Sequence, residues 1–340
     1  MKKFLSLFSA ALGTIALSTS LFADVSRPDT HAPAGVMGDH IHDKGEWMFS
    51  YSYMDMEMEG NLDGTRDLST DEILLSGTGD FIVTPTDMTM RMHMIGGMYA
   101  PSDKLTLMLM TSFIEKDMNH VTAMGGAFET SSSGIGDSSI TGLYSLTKAE
   151  DGSSNSHLSL GLFLPTGSID ERDVIPLSAP NTAQLPYPMQ LGSGSFAIEP
   201  GYTYNSYKDS WSWGGQIKAR IQLDRNSRDY SLGDQIMASL WTAKPLNDNF
   251  SVSARLQLDD KGNISGADSE LDPTIVPTAD PSLRAGTRVD LGLGINWITG
   301  VRDHASWRLS AEYLTPVHQE LNGPQLETDS TFIFKTQYSY

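Results

Sequence analysis

Cysteine is absent from the 340 residues. Disulfide frameworks, thiolate metal sites and cysteine nucleophiles are therefore excluded. Basic residues are scarce: 23 Lys and Arg stand against 42 Asp and Glu, for a formal net charge of −19. That balance argues against nucleic acid as a partner, because phosphate binding needs clustered cations. After the N-terminal segment, no apolar run approaches the ~20 residues that a transmembrane helix requires. A nucleotide-binding loop is missing, and with it any internal energy source. There is no Asp-x-Asp-x-Asp-Gly calcium loop. His93, His120, His157, His304 and His318 are scattered, and none sits in a local motif of membrane-embedded phospholipases or proteases. An enzyme is not expected.

What is present begins with an export signal. Lys2 and Lys3 precede an apolar stretch from Phe4 to Leu17, and Leu21-Phe22-Ala23 offers a cleavage site before Asp24. Residues 1–23 thus read as a signal peptide. No Cys follows the cut, so lipidation there is not expected. Residues 24–45 form a lead, either loose in the periplasm or tucked inward as a plug, ahead of a β-rich body at 46–340.

The clearest pattern in that body lies at 211–223. Trp211, Trp213, Gly215, Ile217, Ala219, Ile221 and Leu223 alternate with Ser212, Gly214, Gln216, Lys218, Arg220 and Gln222. Successive side chains of a strand point to opposite faces, so one wall is apolar and the other polar. Twelve such segments recur, at 46–58, 86–99, 104–116, 136–147, 156–166, 194–206, 210–224, 231–243, 249–260, 286–298, 304–314 and 330–340. Their connections alternate in length. Long ones occupy 59–85, 117–135, 167–193, 261–285 and 315–329, and short ones such as Ala100-Pro-Ser-Asp103 fall between. Outer-membrane barrels have this phase, with long external loops and short periplasmic turns. Backbone groups in lipid must all be paired, which requires a closed sheet. A Lys or Arg on the lipid face near mid-bilayer costs about 2–4 kcal/mol. Turning Lys218, Arg220, Arg255, Arg288 and Arg308 to the lumen avoids that cost with one assignment.

The expected fold is therefore all-β, a transmembrane antiparallel up-and-down β-barrel of about twelve strands. A second hairpin from Ile73-Leu-Leu75 and Phe81-Ile-Val83 would raise the count to fourteen. The chain closes on Thr331-Phe-Ile-Phe-Lys-Thr-Gln-Tyr-Ser-Tyr340, an alternating strand with a terminal aromatic, of the kind found last in outer-membrane barrels. A secreted sandwich or propeller would also alternate, but it explains neither the loop phase nor this end.

Leu164-Pro-Thr-Gly-Ser168, Leu191-Gly-Ser-Gly-Ser195 and Tyr230-Ser-Leu-Gly-Asp234 occur in that order around the tryptophan strand. With them, residues 136–260 resemble the outer-membrane barrel family named for the meta-cleavage pathway of phenol degradation. The resemblance implies a channel or uptake role and, more weakly, an aromatic cargo. It carries no functional residues over.

Methionine is unusually frequent, with 17 residues. Met54, Met56 and Met58 are expected to face inward, opposite the row Trp47, Phe49, Tyr51, Tyr53. Met108 and Met110 are expected inward as well, opposite Leu105, Leu107 and Leu109. In the second strand Arg91 and His93 are assigned to the lumen, which sends Met88, Met90, Met92 and Met94 into lipid. Thioethers and imidazoles suit soft copper, so a metal-handling protein using His40, His42, Met54, Met56 and Met58 is the alternative reading. His40 and His42, beside Asp39 and Asp43, are also candidates for a divalent ion. The leading expectation is passive passage of small compounds through a polar lumen. It carries Arg91, His93, Lys218, Arg220, Arg255, Arg288 and Arg308, balanced by Glu199, Asp290 and Glu312. No cofactor is expected. Expected partners are outer-membrane lipids and lipopolysaccharide, the barrel assembly machinery and the small-molecule cargo. Acids in the long loops suggest divalent bridging to lipopolysaccharide phosphates.

Overall fold

A computed structural model describes residues 27–208, 210–302 and 305–340. The signal peptide expected at 1–23 lies outside the described residues, as do 24–26 of the expected lead, Asp209, Asp303 and His304. Eleven strands form a ring: β1 (Trp47–Gly64), β2 (Val83–Ser102), β3 (Leu105–Thr122), β4 (Ser138–Lys148), β5 (Ser154–Leu164), β6 (Ala197–Lys208), β7 (Trp211–Gln222), β8 (Gln235–Pro245), β9 (Phe250–Lys261), β10 (Gly286–Arg302) and β11 (Ala305–Ser339). Each pairs antiparallel with the next, and β11 pairs with β1 to close the ring. Among the described residues no helix is long and apolar enough to cross a membrane, which leaves strands free to do so.

A ring with only antiparallel neighbours needs an even number of staves, and β11 resolves the parity. Its first half, to Leu321, pairs with β10, while its second half, from Leu321 to Ser339, pairs with β1. Since β1 and β10 are both antiparallel to it, the chain must reverse in between. Gln319 marks the reversal: its side chain donates to the Thr328 carbonyl at 2.9 Å and accepts from the Thr328 N–H at 2.9 Å. The barrel therefore has twelve staves. Trp47 and Tyr340 exchange two backbone hydrogen bonds of 2.9 Å at the seam.

The hairpin that would have made fourteen does not form. Residues Thr70–Ile73 are a helical turn instead, begun by a capping box between Ser69 and Glu72. The Ser-x-x-Glu spacing satisfies orphan backbone donors locally and removes them from strand pairing. Two segments read as long loops are also largely sheet. Ala127–Ile135 pairs with Phe113–Val121 on the far half of β3, and 315–329 is mostly the arm of the β11 hairpin. β1, β2 and β3 reach 18, 20 and 18 residues. A spanning strand needs only about 9–11, so this side of the barrel stands beyond any hydrocarbon layer.

Alternation gives the wall its two faces. Trp211, Trp213, Ile217 and Ile221 are exposed on the outside, while Ser212 and Gly214 are buried inside. At the short-turn end, Trp47 stacks on Phe49, Phe250 on Trp297, and Trp307 tilts against Tyr338. These rings form an aromatic girdle of the type found at membrane interfaces.

Candidate functional site: the barrel lumen

The lumen is not empty at its short-turn end. Residues 27–45 fold into it, and the wall holds them mainly by their carbonyls. Ser251 donates to Pro28 (2.8 Å), Ser212 to Asp29 (2.7 Å), Asn205 to Asp39 (2.8 Å) and Lys218 to Met37 (3.0 Å). Arg308 donates to Pro28 at 3.1 Å, and the His157 ring meets the Gly38 carbonyl at 2.9 Å. Buried carbonyls must find donors, and a coil segment has no regular ladder to satisfy them. The inward polar row supplies them.

A buried ion pair sets the depth of the plug. Arg255 and Glu312 meet through two bonds of 2.7 and 3.1 Å, with side chains only 2% and 0% exposed. Glu312 also accepts the Gly35 N–H at 2.8 Å. A Cβ at position 35 would lie 2.4 Å from the Arg255 guanidinium, so a larger residue there would displace the buried pair. Across the lumen, Trp241 packs on Ala32 and Val36. It has room to do so because a Cβ on Gly214 would stand 2.4 Å from its ring.

Above the plug lies a chamber of about 730 Å³. Its floor is Gly35, Val36 and Met37, and its roof includes Tyr187, Pro188 and Leu191 from the 167–193 loop and Ile264 and Thr278 from the 261–285 loop. The roof is tied down by ions. Arg228 pairs with Asp170 at 2.7 Å, Asp268 at 3.0 Å and Glu270 at 3.0 Å, and Arg172 reaches Glu270 at 2.7 Å. Beneath them Tyr187 and Tyr230 meet edge to face, and burial pushes the Tyr230 hydroxyl up to about 12. Arg228 thus staples three loops across the long-loop end.

One side of the chamber is methionine. Met88, Met92, Met94, Met108, Met110 and Met118 all line it. This reverses the expected facing of β2. Arg91 and His93 point outward, and the Met88–Met94 row points in. The cross-strand register shows why: Asp55, Arg91 and Glu115 are direct neighbours, as are Tyr53, His93 and Phe113. Opposed residues share a face, so β2 must present its charged row beside the outer aromatics. There it pairs with the strands on either side. Arg91 lies 3.7 Å from Asp55 and 3.5 Å from Asp117, and Tyr51 hydrogen-bonds His93 at 2.8 Å. His93 stands level with Tyr53, and Arg91 one step further toward the long-loop end beside Asp55, on the part of the wall that the extra length of β1–β3 adds.

The remaining expected lumen residues are inward. Arg220 and Lys218 share Glu199, at 2.7 and 3.7 Å. Arg220 also lies 3.8 Å over the Phe163 ring. Arg288 bonds Asp290 at 3.1 Å and Thr328 at 2.6 Å. Arg255, Arg308 and Lys218 act as plug anchors as much as lumenal charges, a role that strand alternation alone does not reveal. Lys116, Lys261 and Arg284, all lining the chamber, were not among the expected residues.

The candidate metal residues separate. Met54 packs with Ala34, Leu314 and Ile333, and Met58 with Met88, Met118 and Leu185. Met56 pairs across the sheet with Met90. These thioethers fill apolar clusters, which lends no support to copper handling. His42 turns to Glu46, at 3.3 Å. His40 instead meets Asp39 at 2.9 Å, with His31 at 3.7 Å from the same carboxylate. His31, Asp39 and His40 are donors of the type that borderline divalent ions take. Arg308 and Lys335 nearby oppose further positive charge there.

That opposition predicts a pH response. Burial, with Arg308 and His40 beside it, holds the His31 imidazole well below its ordinary range, while Asp39 pulls the other way. Burial also lowers His42, against the pull of Glu46 and Asp39. Freed from the lumen, both would titrate near about 6.5. The docked plug therefore gains stability above that value and loses it as pH falls below. Acidification from about pH 7.5 to about pH 5 is expected to loosen residues 27–45, read as increased proteolysis of the segment. His31→Gln with His42→Gln should flatten the response.

The family model described as "Putative MetA-pathway of phenol degradation" matches residues 48–315. The chain belongs to that family. Within its barrel fold, an outer membrane channel from Pseudomonas putida F1 is similar at 14% identity, with a TM-score of 0.60, covering 91% of this chain and 100% of that one. The P. putida toluene transporter TodX is less similar, at 11% identity and a TM-score of 0.43, covering 88% and 90%. The translocator domain of the autotransporter NalP from Neisseria meningitidis stands at 10% and 0.46, covering 87% and 88%. At these identities the likeness is one of fold. No curated protein sequence matches. The family match covers β1 through most of the staves but leaves out the plug, whose sequence lies before residue 48.

Proposed function

We propose that this family member is an outer-membrane channel that takes up small hydrophobic compounds through a gated lumen. The observation that carries the reading is the methionine-lined chamber between plug and roof. A water-filled sieving pore has no use for a wall of thioethers. An apolar solute does, because thioethers adapt their shape to it. The family's description, with its reference to phenol degradation, makes an aromatic body the natural class. Passage is passive, since the chain supplies no energy source. The plug would have to shift for the chamber to empty toward the periplasm, and the Arg228 staple to open for it to fill.

Purified protein in proteoliposomes is expected to accelerate entry of a neutral aromatic solute such as phenylbutanol, relative to empty vesicles. Met92→Asp with Met94→Asp should abolish most of that acceleration while leaving the barrel folded, since both face the lumen and neither is fully buried. Equal rates in loaded and empty vesicles would refute the channel reading.

A further inference from the structure

The chamber has a second wall, and its charge opposes that of the molecule. Although the chain carries a net charge of −19, the chamber is lined by Lys116, Lys218, Arg220, Arg255, Lys261 and Arg284 against the carboxylates of Asp137 and Glu199. Three of these cations are already matched: Lys218 and Arg220 by Glu199, and Arg255 by Glu312. Asp137 is also taken, accepting from the Gly167 N–H, the Ser193 N–H and the Ser193 hydroxyl. Lys116, Lys261 and Arg284 are left without an ion pair among the described residues. Lys116 donates to the carbonyls of Pro188 and Gln190, at 2.7 and 2.6 Å, and keeps a third N–H. The Lys261 ammonium makes no hydrogen bond to a described group, and its residue is exposed. Arg284 is 8% exposed, and its Nη2 is buried without a partner. The Thr278 hydroxyl, on a residue 2% exposed, is likewise unpartnered. Lys261 lies within electrostatic range of both Lys116 and Arg284. Asp259, Asp280 and Glu171 lie within that range too, but none reaches pairing distance.

The buried, unpartnered donors of Arg284 and Thr278 are costly, and a native site that keeps them expects an acceptor, toward which Lys116 and Lys261 add positive charge. We propose that Lys116, Lys261, Arg284 and Thr278 form a carboxylate site, and that the chamber's preferred ligand is an amphipathic monocarboxylate. The charged head meets these four residues under the roof. The apolar body lies along Met88, Met118 and Leu326. A volume of about 730 Å³ falls within the roughly 300–1,000 Å³ usual for small-molecule sites. This inference rests on the channel reading for its physiological meaning but not for its test.

Phenylbutyrate and phenylbutanol share a body and differ in the carboxylate. Titration calorimetry of the full chain in nanodiscs, with empty nanodiscs as reference, should show phenylbutyrate binding about tenfold tighter than phenylbutanol. Lys261→Met and, separately, Arg284→Gln should remove that preference and leave phenylbutanol affinity unchanged. Arg284→Lys should restore part of it. Equal affinities in the wild type, or a preference that survives both variants, would overturn the proposal. Inorganic phosphate competing as well as phenylbutyrate would overturn the amphipathic ligand and leave a plain anion site. Binding without vesicle flux would refute the channel reading alone, and flux of phenylbutanol without carboxylate preference would refute this one alone.

Discussion

Glu312→Ala is expected to convert a quiet barrel into a conducting one. Glu312 holds Arg255 by two bonds and the plug by the Gly35 N–H. Its removal leaves a guanidinium buried without a counter-ion, a defect that costs about 3–5 kcal/mol. The barrel wall has its backbone ladders to absorb such a loss. The plug has only scattered bonds and no ladder, so it is the part that leaves. Single-channel recordings in planar bilayers should show steps several-fold larger than the wild type. Thr30→Cys, labelled with a maleimide, reports the same event independently. The chain's lack of cysteine makes that label unambiguous. The pair change Arg255→Met with Glu312→Leu removes both charges and should be far milder. Recordings and labelling unchanged by Glu312→Ala would show that the pair does not hold the plug.

The second large effect concerns which face of β2 meets lipid. Ile95→Arg should prevent assembly, while Met92→Arg, three residues away, should assemble normally. Ile95 is 62% exposed on the outer wall beside Tyr51 and Thr111. A guanidinium there costs about 2–4 kcal/mol if it lies near mid-bilayer. Met92 lines the chamber, where the new charge stays hydrated. Heat-modifiable migration on gels, which separates folded from unfolded barrels, reads the outcome. The opposite result would restore the inward placing of Arg91 and His93.

That reversal shows where the sequence was legible and where it was not. Staves with one plainly apolar row, such as β7 and β9, are assigned correctly from alternation, and the phase of long and short connections orders them. β2 has no such row. One face is methionine and the other mixes Arg91 and His93 with Ile95 and Tyr99, so charge alone points the wrong way. The deciding signal was present in the next strand. The short turn at 100–103 pairs Tyr99 with Leu107 and Ile95 with Thr111. Leu105, Leu107 and Leu109 face lipid, and that register carries Arg91 and His93 to the same side. The plug left no periodic trace, because the wall grips it mainly by its carbonyls, which every residue carries. Lys116, Lys261 and Arg284 become a group only when loops fold over the rim, which no local pattern encodes.

The seam between β1 and the returning arm of β11 has a consequence for how the molecule comes into being. The plug precedes β1 in the chain, yet its anchors lie on β5, β6, β7, β9 and β11. It enters by the short-turn rim, beside the Trp47–Tyr340 closure, and can seat fully only once those anchors stand around it. Its grip tightens with each donor the wall presents and completes when Arg308 and Glu312 are beside it. The last strand to arrive thus both shuts the cylinder and finishes the socket for its contents.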